Sequence, residues 1–285
     1  MAEQSPFRTV AIGTLALWLA LFVLAPTLLV IGTSLLARDE VDLVAPRFSL
    51  EAWARLLDPV YLAVFLRSAG LALAATALCL GLGYPFAYLL ARARPDRRPL
   101  LLLLVIIPFW TNSLVRTYAV RTVLAARGPL NALLQALGLT DAPVALLYNG
   151  LAVVVGLLYV MLPFMVLPLY AVLEKLDRSL LEAAADLGAG RLQVLLRVVF
   201  PLSLPGVVAG CVLVFLPSLG MFFVSDLLGG ARDLLMGNFI KEQFLDARDW
   251  PFGAAASVAM TALMALLLLV WRASQRRTGL PETTT

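Results

Sequence analysis

Histidine is absent from the 285 residues, and cysteine occurs only at Cys79 and Cys211. Both cysteines lie inside apolar runs, where a small hydrophobe is the ordinary reading, so neither a metal site nor a disulfide is expected. Charge is also scarce: Asp, Glu, Lys and Arg make up 14% of the chain, against about 25% in soluble domains. Without histidine, a paired intramembrane carboxylate or a nucleophile beside a base, the apolar runs hold no equipment for covalent catalysis. The phosphate-cradling pattern Gly-x-x-x-x-Gly-Lys-[Ser/Thr] is missing too, so nucleotide hydrolysis has to come from a separate chain. The net charge is only +4, with arginines in short clusters between apolar runs and not in a basic domain, which argues against nucleic acid as a partner.

What the chain has in abundance is apolar length. It is 61% hydrophobic with a mean hydropathy of +0.92. Six stretches reach the length a membrane crossing needs: 10–36, 68–90, 100 to about 119, 151–173, 202–224 and 253–271. Strands of alternating polarity are lacking and backbone groups in hydrocarbon must be satisfied locally, so the expectation is an all-α integral membrane protein forming a single transmembrane domain over 1–285. The first run is too long for a signal-peptide core and reads as an uncleaved span. An even number of spans puts both termini on one side. Arg92, Arg94, Arg97 and Arg98 crowd the short Ala91–Pro99 loop and make that side the cytoplasm. Prolines and glycines within spans, among them Pro26, Pro85, Pro108, Pro163, Pro168, Pro205 and Pro217, suit kinked helices around a cavity and equally suit ordinary membrane-helix composition.

Between the fourth and fifth spans, residues 174–201 read as two short helices with a bend. Ser179 and Glu182 have capping-box spacing. Leu176, Leu180, Ala183, Ala184 and Leu187 fall on one stripe, and Gly188 can end the helix in a left-handed conformation. A second helix over 191–199 follows, with Pro201 at the start of the fifth span. Glu182-Ala183-Ala184, Gly188 and Pro201 resemble the EAA loop of ABC importer permeases. Val198 and Phe200 stand where that pattern has isoleucine and leucine, and both remain apolar. The resemblance implies a six-helix type I importer transmembrane domain whose hairpin docks into an ATPase subunit and passes its closure to the membrane helices.

Two further stretches are unusual. The third span contains Trp110, Thr111, Asn112, Ser113, Arg116 and Tyr118, and an arginine mid-helix costs about 2.5–3.5 kcal/mol on insertion. Trp110, Asn112, Arg116 and Tyr118 are therefore candidates for lining a pathway. The alternative is a tilted span ending near Val115 with Arg116 snorkelling. At the end of the fifth span, Phe222, Ser225 and Asp226 are further candidates, Asp226 as an anionic contact for a cation. Asp226 and Asp249 serve equally well as boundary or capping residues. Gly206 and Gly210 have the spacing of close helix packing.

Nearly the whole chain resembles the permeases of spermidine/putrescine importers, the first of their two related permease subunits. The resemblance is carried by Pro108–Arg116, Leu162–Tyr170, Val224–Ala231 and Arg248–Ala254. It implies a multi-pass protein of the bacterial inner membrane and transport of polyamines by alternating access. The implied partners are a second permease, two ATP-binding subunits holding ATP and Mg, a periplasmic substrate-binding protein and membrane lipid, with no cofactor in this chain. Composition by itself does not point to a cation: the spans offer aromatic faces for cation-π contact but few acids. A related importer for ferric iron, sulfate or an opine remains an alternative. An ion-coupled carrier would need internally placed acids or histidines, which the spans lack.

Overall fold

The computed structural model describes residues 6–39, 41–230 and 233–277. Helix α1, Pro6–Leu19, passes through a π-turn at Ala20–Leu24 into α2, Ala25–Thr33. An antiparallel ribbon follows, β1 Leu36–Asp39 and β2 Leu43–Phe48, a small exception to the all-helical expectation. Next come α3, Glu51–Leu56, and the 34-residue α4, Pro59–Arg92. Helix α5, Arg98–Ile106, ends in a 3₁₀ turn at Ile107–Trp110 before α6, Ser113–Leu124, and α7, Pro129–Ala136. Helix α8 is Gly150–Leu173, α9 is Arg178–Asp186, and α10, Arg191–Val194, continues through a π-turn at Leu195–Val199 into α11, Phe200–Gly220. Helices α12, Phe222–Leu228, α13, Met236–Leu245, and α14, Trp250–Arg277, complete the described chain.

Among the described residues, five helices are long and apolar enough to cross a membrane. A sixth arises if the pair 98–110 and 113–136 counts as one broken span. That pair replaces the expected continuous run over 100–119: the chain turns by 93° at Thr111 and Asn112. Thr111 is extended, and the Asn112 side chain accepts the Leu114 N–H at 2.8 Å. A polar side chain that satisfies a free amide makes a new helix start cheaper than continuing the old one.

The fifth span differs from expectation at both ends. It stops at Gly220, where Met221 leaves helical geometry, and at its start it is continuous with α10. Pro201 therefore lies within a continuous helical run. The π-turn at 195–199 immediately precedes it, as the one at 20–24 precedes Pro26. A proline lacks an N–H and crowds the carbonyl four residues back, and the wider π-turn relieves both problems without ending the helix.

The chain divides into two compact units, one of residues up to 63 with those from 239 onward, the other of residues 64–238. In the second unit α8 packs along α11, and Leu157, Val160, Met165, Val166 and Leu169 are fully or nearly fully buried. Gly206 and Gly210 permit this approach: a Cβ at Gly206 would stand 3.1 Å from the Pro168 carbonyl oxygen, and one at Gly210 2.7 Å from Met165 Sδ. In the first unit α14 packs on α2 and α3. The rings of Tyr61, Phe239 and Phe252 meet there, with Tyr61 edge-on to Phe252 at 4.8 Å.

Candidate functional site

The hairpin of α9 and α10 begins at Asp177, whose carboxylate accepts the Ser179 N–H at 2.9 Å. The cap is thus two residues earlier than the expected Ser179–Glu182 box, because an aspartate caps as well as a serine and leaves Ser179 inside the first turn. The Ser179 backbone N–H, with help from its hydroxyl, holds the Asp177 carboxyl below its ordinary range. At the other end Gly188 has φ +83°. Gly188 N–H donates to the Ala185 carbonyl at 2.9 Å and Ala189 N–H to the Ala184 carbonyl at 3.1 Å. These are the paired bonds of a Schellman stop. Gly190 then opens α10, with its N–H donating to Gln193 Oε1 at 3.1 Å.

The stripe expected on α9 is divided between two faces. Leu176 and Leu181 pack on the core formed by α4, α8 and α11, and Ala184 is half-buried. Leu180, Ala183 and Leu187 face outward beside the exposed Glu182, and Leu187 is 89% exposed. A nine-residue helix at the surface thus displays an acid and an apolar strip, a combination suited to a groove on another protein.

The second candidate area lies on α6 and α12, the short helices that follow the breaks in the third and fifth spans and that pack against each other. Trp110, Tyr118 and Phe222 are exposed, Trp110 the most at 77%. Asn112 caps α6, as described. Arg116 is buried, 7% exposed, so it does not snorkel outward. Its Nε and Nη1 have no hydrogen-bond partner among the described residues, and its guanidinium lies 6.0 Å from the centre of the Phe109 ring. Ser225 is buried too, and its hydroxyl donates to the Asp233 carbonyl at 2.5 Å. Asp226 is exposed and accepts a hydrogen bond from the Asn238 amide. A profile of the family described as binding-protein-dependent transport system inner membrane component matches residues 83–278, which take in both candidate areas.

The chain belongs to that family.

This inner-membrane component is 54% identical over 276 residues, 96% of each chain, to the spermidine/putrescine transport system permease protein PotB of Salmonella typhimurium. It is 48% identical over 268 residues, 94% of each chain, to the protein of the same name from Haemophilus influenzae. Among solved structures, a chain of a bacterial alginate ABC transporter in complex with an alginate pentasaccharide-bound periplasmic protein shares the fold. That match has a TM-score of 0.70 and 16% identity over 95% of this chain and 94% of that one.

Two buried carboxylates of this inner-membrane component were not singled out as ion-pair anchors by sequence reasoning. Asp233 pairs with Arg67 at 2.5 Å, and Ser68, also on α4, donates to the neighbouring Leu234 carbonyl at 3.4 Å. Asp249, considered above as a boundary acid, is 2% exposed; it accepts Arg55 Nη1 at 2.7 Å and the Phe252 N–H at 3.2 Å, with Arg38 at 3.6 Å. Asp249 is occupied by these tasks, and the Arg55 guanidinium also lies 4.1 Å over the Phe252 ring. The signal for both was a lone carboxylate with arginines far away in sequence, which no local pattern connects.

Proposed function

We propose that the chain is one permease subunit of an ATP-driven importer that carries polyamines across the bacterial inner membrane by alternating access. The observation that carries this reading is the 54% identity over 96% of both chains to a spermidine/putrescine permease. Identity at that level, spread over 96% of both chains, supports a common fold, and we extend it to the assembly surfaces. The partners are a second, related permease, two ATP-binding subunits with ATP and Mg, and a periplasmic binding protein. Both termini lie in the cytoplasm with the α9–α10 hairpin. Glu182, Ala183, Ala184 and Gly188 form the contact through which the ATPase acts, supported by the outward apolar strip and acid on α9, and Pro201 joins the hairpin to the fifth span.

On the outer side, Trp110, Tyr118 and Phe222 offer aromatic faces and Asp226 a carboxylate to a polycation, the two attractions available to ammonium groups. Asn112 and Ser225 hold the local backbone for those side chains. Arg116 is a fixed positive charge set back from the surface, where it opposes cation binding in its own neighbourhood and leaves the route to the aromatic side. Reconstitution with the cognate partners and uptake measurements with spermidine, putrescine, sulfate and ferric iron test the assignment. ATP-dependent accumulation of a polyamine alone is the expected result, and accumulation of sulfate or iron with no polyamine uptake would overturn it.

A further inference from the structure

Beside the hairpin lies a groove of about 640 Å³, between the end of α4 and the α9–α10 turn. Arg92 and Arg191 stand at it, with Tyr88 from α4 and Leu181, Leu192 and Leu195 forming an apolar wall. No carboxylate is among its lining residues. The Arg92 guanidinium lies 4.5 Å over the Tyr88 ring, a contact that orients the charge without neutralising it.

The position of this groove along the membrane normal follows from α4. Its 34 residues make a helix of about 51 Å, well beyond the roughly 30 Å hydrocarbon layer. Its last turns carry a tyrosine followed one turn later by an arginine, a pairing that anchors helices in the headgroup region, and we place the groove at that depth. Two cations, an aromatic ring and a wall of leucines at that depth match a molecule with an anionic head and an apolar tail.

We infer that this groove binds an anionic phospholipid, its phosphate held by Arg92 and Arg191 and an acyl chain lying against Leu181, Leu192 and Leu195. The inference rests on the proposed cytoplasmic placement of the hairpin. A free phosphate would use the two arginines and leave the leucine wall in water, so the lipid is the occupant that satisfies the whole lining. An adjoining groove of about 350 Å³ is lined by Arg92, Leu181, Glu182 and Ala185. Arg92 thus belongs to both grooves, and a lipid held there would sit next to Glu182 of the proposed ATPase contact. ATP coupling then depends on the lipid composition of the inner leaflet.

The test uses the full importer complex in nanodiscs of phosphatidylcholine with and without phosphatidylglycerol. Native mass spectrometry reads the lipid retained, and coupled ATPase activity is measured on the same samples. The wild-type complex should retain phosphatidylglycerol selectively. R92Q/R191Q should lose that selectivity by on the order of thirty-fold, from two arginines at an anionic surface, and R92K/R191K should largely restore it. Undiminished selectivity in R92Q/R191Q overturns the inference. So does loss of the ATPase subunit from that variant in pure phosphatidylcholine, which would assign the groove to an acidic surface of the motor protein. Labelling of Leu192→Cys from the outer side would instead overturn the proposed orientation, a distinguishable failure.

Discussion

Gly188 offers a test in which backbone strain is separated from steric crowding. Its φ of +83° is one that side chains rarely adopt, while a Cβ built there meets nothing within 4 Å. Gly188→Ala therefore introduces no clash and costs only the left-handed conformation, about 1–2 kcal/mol. That amount shifts the population of the correctly bent hairpin by a factor of about 5–30. Gly188→Asn should cost less, because asparagine tolerates this region. Gly188→Pro should be worst: proline fixes φ near −65° and deletes the N–H that donates to Ala185 at 2.9 Å. Uptake of radiolabelled spermidine into proteoliposomes, normalised to inserted complex, should fall in the order Gly, Asn, Ala, Pro, with the proline variant inserted but inactive. Wild-type uptake in both the alanine and proline variants would refute the claim that the Schellman stop shapes the coupling surface.

Other perturbations address the remaining elements. Asp249→Ala removes the partner of Arg55 and the cap at Phe252; the loss should be about 1–3 kcal/mol, below that of a fully buried pair because Arg55 stays partly exposed, and should lower the thermal midpoint in detergent. Gly210→Val pushes a branched side chain against Met165 and should cost about 1–3 kcal/mol by overpacking, read as reduced recovery of folded protein by size exclusion. Asp226→Asn keeps shape and removes charge, and should raise the KM for spermidine severalfold while leaving assembly intact; unchanged kinetics would remove Asp226 from the pathway. Asp177 has its carboxyl held below the ordinary value of 3.8, so its stabilisation of the hairpin is complete above that value and lost as pH falls through the lower folded one. Limited proteolysis of the hairpin should show that acid sensitivity in the wild type and not in Asp177→Asn.

Apolar length made the spans legible in the sequence, and the glycine at 188 marked the bend, because both signals are local. The failures also have local causes. Asp177 and Ser179 are equally good caps, so spacing to Glu182 misplaced the helix start by two residues. Polar residues at 111–113 were visible as an anomaly, yet reading them as one strained span missed that Asn112 begins a new helix. Leu180 and Leu181 are neighbours in sequence, the first exposed and the second packed on the core, so the periodicity of α9 alone did not say which leucines meet the core. Arg67 with Asp233 and Arg55 with Asp249 join residues 166 and 194 positions apart, a separation over which nothing in a single sequence specifies pairing.

The helical run from Arg191 to Gly220 is unbroken over 30 residues, a length of about 45 Å. It is one piece of backbone that begins as the second arm of the bend and ends at Met221, where the chain leaves helical geometry. In the proposed cycle, a displacement delivered at Arg191 would travel along this one piece of backbone to Gly220, beside the short segment bearing Phe222 and Asp226. The widened turn ahead of Pro201 is what keeps that run in one piece.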